Sequence, residues 1–192
     1  MDTREVAAGL WYWTAPHPSW QPGADWPERV GCVYYEAPDA VVLIDPLLPR
    51  GEEEEFLAQL DRDVERLGLP VVILLTAPWH LRSTHELVSR YDAVVAPERL
   101  PAGVESYEIA GSDERQVAFF IRPHRTLVVA EIFMGDGSGG LVLCPSPALI
   151  DRAALDKSLH AVVALPVERV LVSHGEPVLA DGRHAIAATL SS

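Results

Sequence analysis

The sequence predicts an α/β protein with two mixed β-sheets and helices on their outer faces. Strand pairs typical of hairpins occur both near the N-terminus and in the middle of the chain, a strand–helix–strand unit lies between them, and amphipathic helices flank these groups. This order fits neither a doubly wound sheet nor a pure barrel. A chain of 192 residues fits one domain, 1–192, and can bury roughly 70% of the surface that its unfolded form exposes.

The N-terminal part predicts a strand followed by a hairpin. Residues Val6 to Thr14 are apolar and aromatic, with Trp11 and Trp13 two apart on one face of an extended strand. Farther along, Cys32 to Tyr35 and Ala40 to Ile44 flank a turn-forming Ala-Pro-Asp group. We therefore expect a β-hairpin here.

A long loop separates these elements. The segment Ala15 to Glu28 is interrupted by prolines and a glycine and can be neither a helix nor a central strand. Long ordered loops in compact domains are often binding loops, so Trp20 and Trp26 are candidate pocket walls. Packing against the core is the more frequent role of tryptophan.

The segment Glu52 to Leu67 has the apolar stripe of an amphipathic helix. Glutamates fill its first turn and Gly68 follows its last, which suits the helix dipole and a left-handed C-terminal residue. The acidic run is therefore explained by helix electrostatics rather than by metal binding.

A strand–helix–strand unit follows. Val71 to Thr76 is a buried strand; after a loop, Ser83 stands three residues before Glu86, the spacing of a capping box, and opens a helix to about Arg90. Residues Asp92 to Pro97 form the second, parallel strand.

The second half of the chain begins with strands and ends with helices. Val104 to Ile109, Gln116 to Ile121 and Thr126 to Phe133 are strand-like, and the last two form a second hairpin. The glycine-rich segment before the short strand Leu141 to Leu143 opens no helix, so it predicts a hairpin connection rather than a phosphate cradle. The remaining elements are a helix from Ala148 to about Val163, a strand from Arg169 to Val172 and a helix from Arg183 to Leu190.

Charge and composition exclude several partners. The net charge is −13 and the basic residues are scattered, whereas nucleic acid and anionic membranes require a cationic surface. No apolar run is long enough to span a membrane, and no signal peptide is indicated, so we expect a cytoplasmic protein. Cys32 and Cys144 lie in apolar surroundings that favour buried free thiols.

Four residues that can carry chemistry follow predicted strands. They are Asp45, His80, Glu131 and His174. Two histidines and one carboxylate can hold a zinc ion with an open position. Each residue also has an ordinary structural role available, such as packing beside Trp79 in the case of His80.

At these residues the chain resembles the metallo-β-lactamase fold superfamily. The resemblance rests on LIDP after a hairpin, ILLT before a histidine-bearing loop, TLVVAE closing a second hairpin and VLVSHG before the last helix. It implies an αββα sandwich. Glu131 then resembles the metal-bridging aspartate, His174 the final histidine ligand, and Asp45 an aspartate that supports the site without binding metal.

The main metal-binding motif of that superfamily is replaced in this sequence. Its pattern His-x-His-x-Asp-His falls on Ala77, Trp79, Leu81 and Arg82, and its middle histidine has no counterpart at 110–112. A binuclear site needs several nitrogen ligands to hold two dications and activate water. We therefore expect a degenerate metal site.

The resulting hypothesis is a non-catalytic or redirected small-molecule-binding protein without a cofactor. Its binding pocket is bordered by Trp79, His80, Arg82, Trp20 and Trp26. The alternative is a hydrolase of an ester, lactone or phosphoester, with zinc or another divalent metal held by His80, Glu131 and His174. A third interpretation is that the resemblance is accidental and the chain is a binding or oligomerisation module. The sequence leaves the substrate, the partner proteins and the oligomeric state open.

Overall fold

The computed structural model describes residues 2–112, 114–144 and 151–191. The chain forms two compact units. Unit 1 comprises Met1–Gln21, Glu28–Leu75 and Trp79–Gly103, and unit 2 comprises Pro22–Pro27, Thr76–Pro78 and Val104–Ser192. The single-domain assignment of 1–192 stays a prediction.

Unit 1 is built on one mixed sheet. Its strands lie side by side in chain order, antiparallel from β1 to β4 and parallel from β4 to β6. The described elements are β1 (Asp2–Ala7), β2 (Leu10–Pro16), β3 (Arg29–Ala37), β4 (Ala40–Ile44), α1 (Glu53–Leu67), β5 (Val71–Leu74), α2 (Thr84–Tyr91) and β6 (Val94–Val95).

The first predicted strand is wrong, because the chain turns within it. Val6 to Thr14 is divided between β1 and β2, which pair as an antiparallel hairpin. Gly9 sits in the turn with a φ of 69°, a left-handed conformation that glycine adopts without a side-chain clash. Because the residues on both sides of Gly9 are apolar, the hydrophobic pattern alone does not indicate a turn at this position. The β3–β4 hairpin is confirmed.

Helix α1 has the predicted ends and the predicted packing face. Gly68 follows it in a left-handed conformation and donates its backbone N–H to the carbonyl of Val64. Leu60 is buried, and the ring of Phe56 lies 5.2 Å from that of Trp13 on β2. The amphipathic stripe therefore faces unit 1's sheet.

The β5–α2–β6 unit is parallel as predicted, but the capping box is wrong. Ser83 precedes α2 without a side-chain hydrogen bond to the helix. Its hydroxyl instead accepts the backbone N–H of Leu48 at 2.9 Å. The Ser83 hydroxyl, which the local spacing assigned to the helix cap, therefore binds a residue 35 positions away in the chain.

Unit 2 contains a second mixed sheet. The strand order is β12-β9-β8-β7, with only β12 and β9 parallel, and β10 and β11 form a separate hairpin. The described elements are β7 (Val104–Ile109), β8 (Gln116–Ile121), β9 (Thr126–Val128), β10 (Phe133–Gly135), β11 (Leu141–Leu143), α3 (Arg152–Val163), β12 (Arg169–Leu171) and α4 (Gly182–Ser191).

The predicted strand Thr126 to Phe133 is also interrupted. β9 ends at Val128, and Glu131 lies in a turn before β10. The backbone N–H of Glu131 donates to the side-chain carbonyl of Gln116 at 3.1 Å rather than to a neighbouring strand. This turn removes Glu131 from the end of a strand, where the sequence placed it.

Helix α3 begins at Arg152, and its cap is Asp151, whose carboxylate accepts the N–H of Ala154 at 3.0 Å. The predicted start at Ala148 lies outside the described residues. Both helices of unit 2 contribute to its core, which includes Leu155 and Leu159 from α3 and Ile186 from α4.

Two mixed sheets and four helices are present in the described part of the chain. The predicted fold class is therefore confirmed. None of the described helices combines the length and the apolar character that crossing a membrane requires.

Candidate functional site

Asp45 and His80 form a buried pair in unit 1. His80 Nδ1 lies 2.9 Å from Asp45 Oδ2, and each residue is only 3% exposed. A carboxylate has only acceptors, so the imidazole donates from Nδ1 and, in its neutral form, carries its lone pair on Nε2. This is the arrangement by which carboxylates orient metal-binding and base-type histidines.

Arg82 brings a permanent positive charge to the same pair. Its Nη1 donates to the backbone carbonyls of Asp45 and Gly31, both at 2.8 Å. Asp45 and Arg82 both have positive φ, 49° and 40°. Strained backbone of this kind persists only where surrounding contacts enforce it, and it is frequent at functional sites. We call Asp45, His80, Arg82 and Cys32 the Arg82 cluster.

Cys32 is the cluster's thiol. Its Sγ lies 3.5 Å from Arg82 Nη1, and the residue is buried as predicted. Burial raises the pKa of the thiol to about 11, while the nearby Arg82 charge works in the opposite direction. Because the thiol is protonated at neutral pH, Cys32 is no nucleophile here.

The other replaced motif positions have different surroundings. Trp79 is 38% exposed, and its ring meets that of His80 edge-on at 5.9 Å. The alternative role of His80, packing beside Trp79, is thus present together with its bond to Asp45. Leu81 is 44% exposed and Ala77 is buried.

Glu131 and His174 meet in unit 2, and we call them the His174 pair. His174 Nε2 lies 3.3 Å from Glu131 Oε1. His174 is buried, and its Nδ1 has no hydrogen-bond partner within the described part of the chain. A neutral ring that donates from Nε2 therefore presents an unsatisfied lone pair at Nδ1.

Close backbone packing holds the turn at His174. The carbonyl of His174 accepts the N–H of Gly135 at 3.0 Å. A Cβ on Gly175 would lie 2.5 Å from the carbonyl oxygen of Gly135, and Gly175 has a φ of 76°. Only glycine fits this position without displacing the backbone.

The two loop tryptophans have different environments. Trp26 belongs to unit 2 and packs against His174, with the ring centroids 5.3 Å apart. Trp20 belongs to unit 1, and its backbone N–H donates to His17 within the loop. The predicted role of both as pocket walls stays a prediction.

Sequence reasoning missed two contributors. Gln116 is 1% exposed and binds the backbone of Glu131 through its side chain. A glutamine opening an apolar strand was the available signal, since a buried amide needs a partner. The carbonyl of Gly31, an acceptor for Arg82, left no signal because every residue has one.

A catalytic zinc ion has three protein ligands and an open position. Within the described ranges, no group of three or more His, Cys, Asp or Glu side chains is placed to hold a metal ion. The Asp45–His80 and Glu131–His174 contacts are pairs. Neither pair by itself fits the metal that the family resemblance implies.

Comparison with solved structures identifies the fold. A metallo-β-lactamase from Erythrobacter litoralis aligns over 98% of this chain and 90% of its own, with 17% identity and a TM-score of 0.68. Metallo-β-lactamases from Pontibacter korlensis (16% identity, 99% and 97% covered, TM-score 0.60) and Hirschia baltica (14% identity, 99% and 96% covered, TM-score 0.57) align similarly. No family model matches the chain, and no curated protein matches it by sequence.

The class defined by the sheets and helices is a layered α/β protein, and the particular fold is that of the metallo-β-lactamases. Identities this low establish the fold alone. The resemblance stated from the sequence is confirmed at that level.

Proposed function

We propose that this chain is a metallo-β-lactamase-like protein with a degenerate metal site, which acts by binding a small molecule or through altered chemistry rather than as a binuclear zinc hydrolase. The observation that carries the proposal is the position of Arg82. In the family pattern this residue stands where a histidine ligand is expected. A guanidinium has no lone pair to offer a metal and always carries a positive charge.

The contacts of Arg82 support the same conclusion. Its Nη1 binds the carbonyl of Asp45, the residue whose carboxylate holds His80. The chain therefore supplies a cation of its own beside the contact between the Asp45 carboxylate and His80. A dication added there would be repelled by the guanidinium charge.

Metal content tests the proposal. Protein purified without chelator and with zinc and iron in the growth medium should contain well under one metal ion per chain by elemental analysis. Stoichiometric zinc or iron would overturn the proposal. A variant that restores the family pattern, with Ala77→His, Trp79→His, Leu81→Asp and Arg82→His, is the comparison: a rise in its zinc content would locate the loss of metal binding in these four positions.

The alternative is a single-metal hydrolase of an ester, lactone or phosphoester that uses His80, Glu131 and His174. The unsatisfied Nδ1 of His174 favours it, because a buried imidazole nitrogen without a partner is a candidate ligand atom. His174→Ala should then abolish both metal content and turnover, with His160→Ala on the exposed side of α3 as the control. Unchanged metal content in His174→Ala would exclude this alternative. The cytoplasmic location and the exclusion of nucleic-acid and membrane partners stay predictions.

A further inference from the structure

Unit 1 contains a cavity that involves none of the Arg82 cluster. It has a volume of about 380 Å³ and lies between β-strands and α1, where Trp11, Trp13, Tyr34, Phe56, Gln59 and Asp63 line it. We call it the aromatic pocket. Small-molecule sites typically measure roughly 300–1,000 Å³ and combine apolar walls with a few placed polar groups. The aromatic pocket has both properties.

Four aromatic side chains form its walls and are held by neighbouring contacts. Trp13 is 1% exposed, donates its indole N–H to the carbonyl of Leu47 at 3.0 Å, and packs against Phe56. Trp11 and Tyr34 lie opposite each other on β2 and β3. Trp11 and Phe56 are partly exposed, whereas Trp13 and Tyr34 are buried.

The polar edge of the pocket carries charged groups of both signs. Asp63 lines the pocket, and its carboxylate lies 3.1 Å from the guanidinium of Arg66. Arg66 also forms an ion pair with Glu36. Arg62 reaches the same edge, because its guanidinium donates to the side-chain carbonyl of Gln59 at 2.6 Å and Gln59 donates to Asp63 at 3.0 Å. The Tyr34 hydroxyl donates to Glu36 at 3.2 Å. Burial, followed by the charges of Glu36 and Asp63, raises the pKa of Tyr34, so this phenol stays neutral.

We propose that the aromatic pocket binds a small organic monocation of the alkylammonium class. Cations bind over the faces of tryptophan, tyrosine and phenylalanine, and cages of such rings recognise quaternary ammonium groups. Among the described residues that line the pocket, Asp63 is the one with a charged side chain, and its carboxylate attracts a cation. The net charge of −13 acts in the same direction at longer range.

An isosteric pair of probes separates charge from shape. Choline and 3,3-dimethylbutan-1-ol differ in the charged nitrogen, and both are titrated into the intact chain by calorimetry while the tryptophan indole N–H signals are followed by NMR. We expect choline to bind at millimolar or lower concentration and to shift the Trp13 signal, and the alcohol to bind about tenfold more weakly. Equal affinity for the two probes, or no response to choline, would overturn the proposal.

Matched variants on α1 locate the site. Asp63→Asn should weaken choline binding about three- to tenfold, because it removes the carboxylate that lines the pocket. Glu65→Gln makes the same charge change at an exposed position two residues away and should alter the affinity less than twofold. Equal affinities in these two variants would contradict the assignment. Far-UV circular dichroism verifies that both variants are folded.

Discussion

The Arg82 cluster and the His174 pair both place an imidazole against a carboxylate, yet their surroundings differ. In the Arg82 cluster the contact is 2.9 Å, both residues are buried, and a guanidinium binds the backbone of the carboxylate residue. In the His174 pair the contact is 3.3 Å and Glu131 is half-buried. There, His174 Nδ1 has no hydrogen-bond partner among the residues that the structure describes.

The two histidine–carboxylate contacts therefore differ in what surrounds the imidazole. The Arg82 cluster has its own cation, whose Nη1 binds the backbone carbonyls of Gly31 and Asp45. The His174 pair keeps a nitrogen atom that is able to bind a ligand. We therefore expect substitutions in the Arg82 cluster to change stability, and substitutions in the His174 pair to change ligand or metal binding more than stability.

The largest effect is expected where backbone packing holds the His174 turn. Gly175 and Gly137 share a φ of 76°, but a Cβ on Gly175 would lie 2.5 Å from the Gly135 carbonyl oxygen, whereas a Cβ on Gly137 has no atom within 4 Å. Gly175→Ala should lower the free energy of unfolding by about 3–5 kcal/mol, and Gly137→Ala by about 1–2 kcal/mol. Urea unfolding measures both. Equal losses would show that the positive φ, and not the close contact with the Gly135 carbonyl, makes glycine necessary at position 175.

Arg82→Met comes next. The variant leaves the carbonyls of Gly31 and Asp45 without the donor they have in the native chain, and should lower the free energy of unfolding by about 2–4 kcal/mol. Arg90→Met is the control, because Arg90 binds Asp61 at an exposed position, where an ion pair contributes about 1 kcal/mol or less. A loss in Arg82→Met no greater than in the control would show that these two hydrogen bonds stabilise the fold no more than an exposed ion pair does.

Alkaline pH tests the buried thiol of the Arg82 cluster. Burial raises the Cys32 pKa from 9.0 to about 11, so the folded state binds this proton more tightly than the unfolded state. The resulting stabilisation is complete below pH 9 and disappears as the pH rises through about 11, a loss of about 3 kcal/mol. Buried tyrosines also lose stabilisation at high pH, so the measurement is a difference: unfolding in urea at pH 8 and pH 11 should be less pH-dependent in Cys32→Ala than in the native chain. Identical pH dependence would contradict the assignment.

The smallest effects are expected for Asp45 and Glu131, the two carboxylates that face the histidines. Asp45→Asn keeps a residue that tolerates positive φ and removes only the charge that faces His80. It should lower the free energy of unfolding by about 1–3 kcal/mol, and Glu131→Gln by less than about 1 kcal/mol, because its contact is longer and half-buried. Thermal and urea unfolding of both variants decide the order. The reverse order would make the His174 pair the structural one.

The sequence by itself determined the elements whose cause is local. Helix α1 begins and ends as predicted because a repeated apolar stripe and Gly68 act within a few residues. The strands β7 and β8 have the predicted bounds for the same kind of reason. The fold class and the family resemblance follow from the order of these elements, and the structural comparisons confirm them.

The tertiary structure decided what depends on contacts between distant residues. Ser83 accepts a bond from Leu48 instead of capping α2, and Gln116 holds Glu131 in a turn that ends the predicted strand early. The guanidinium of Arg82 finds its acceptors at Gly31 and Asp45, which lie 51 and 37 residues away. Side-chain hydrogen bonds of this range depend on which strands become neighbours, and periodicity along the chain carries no information about them.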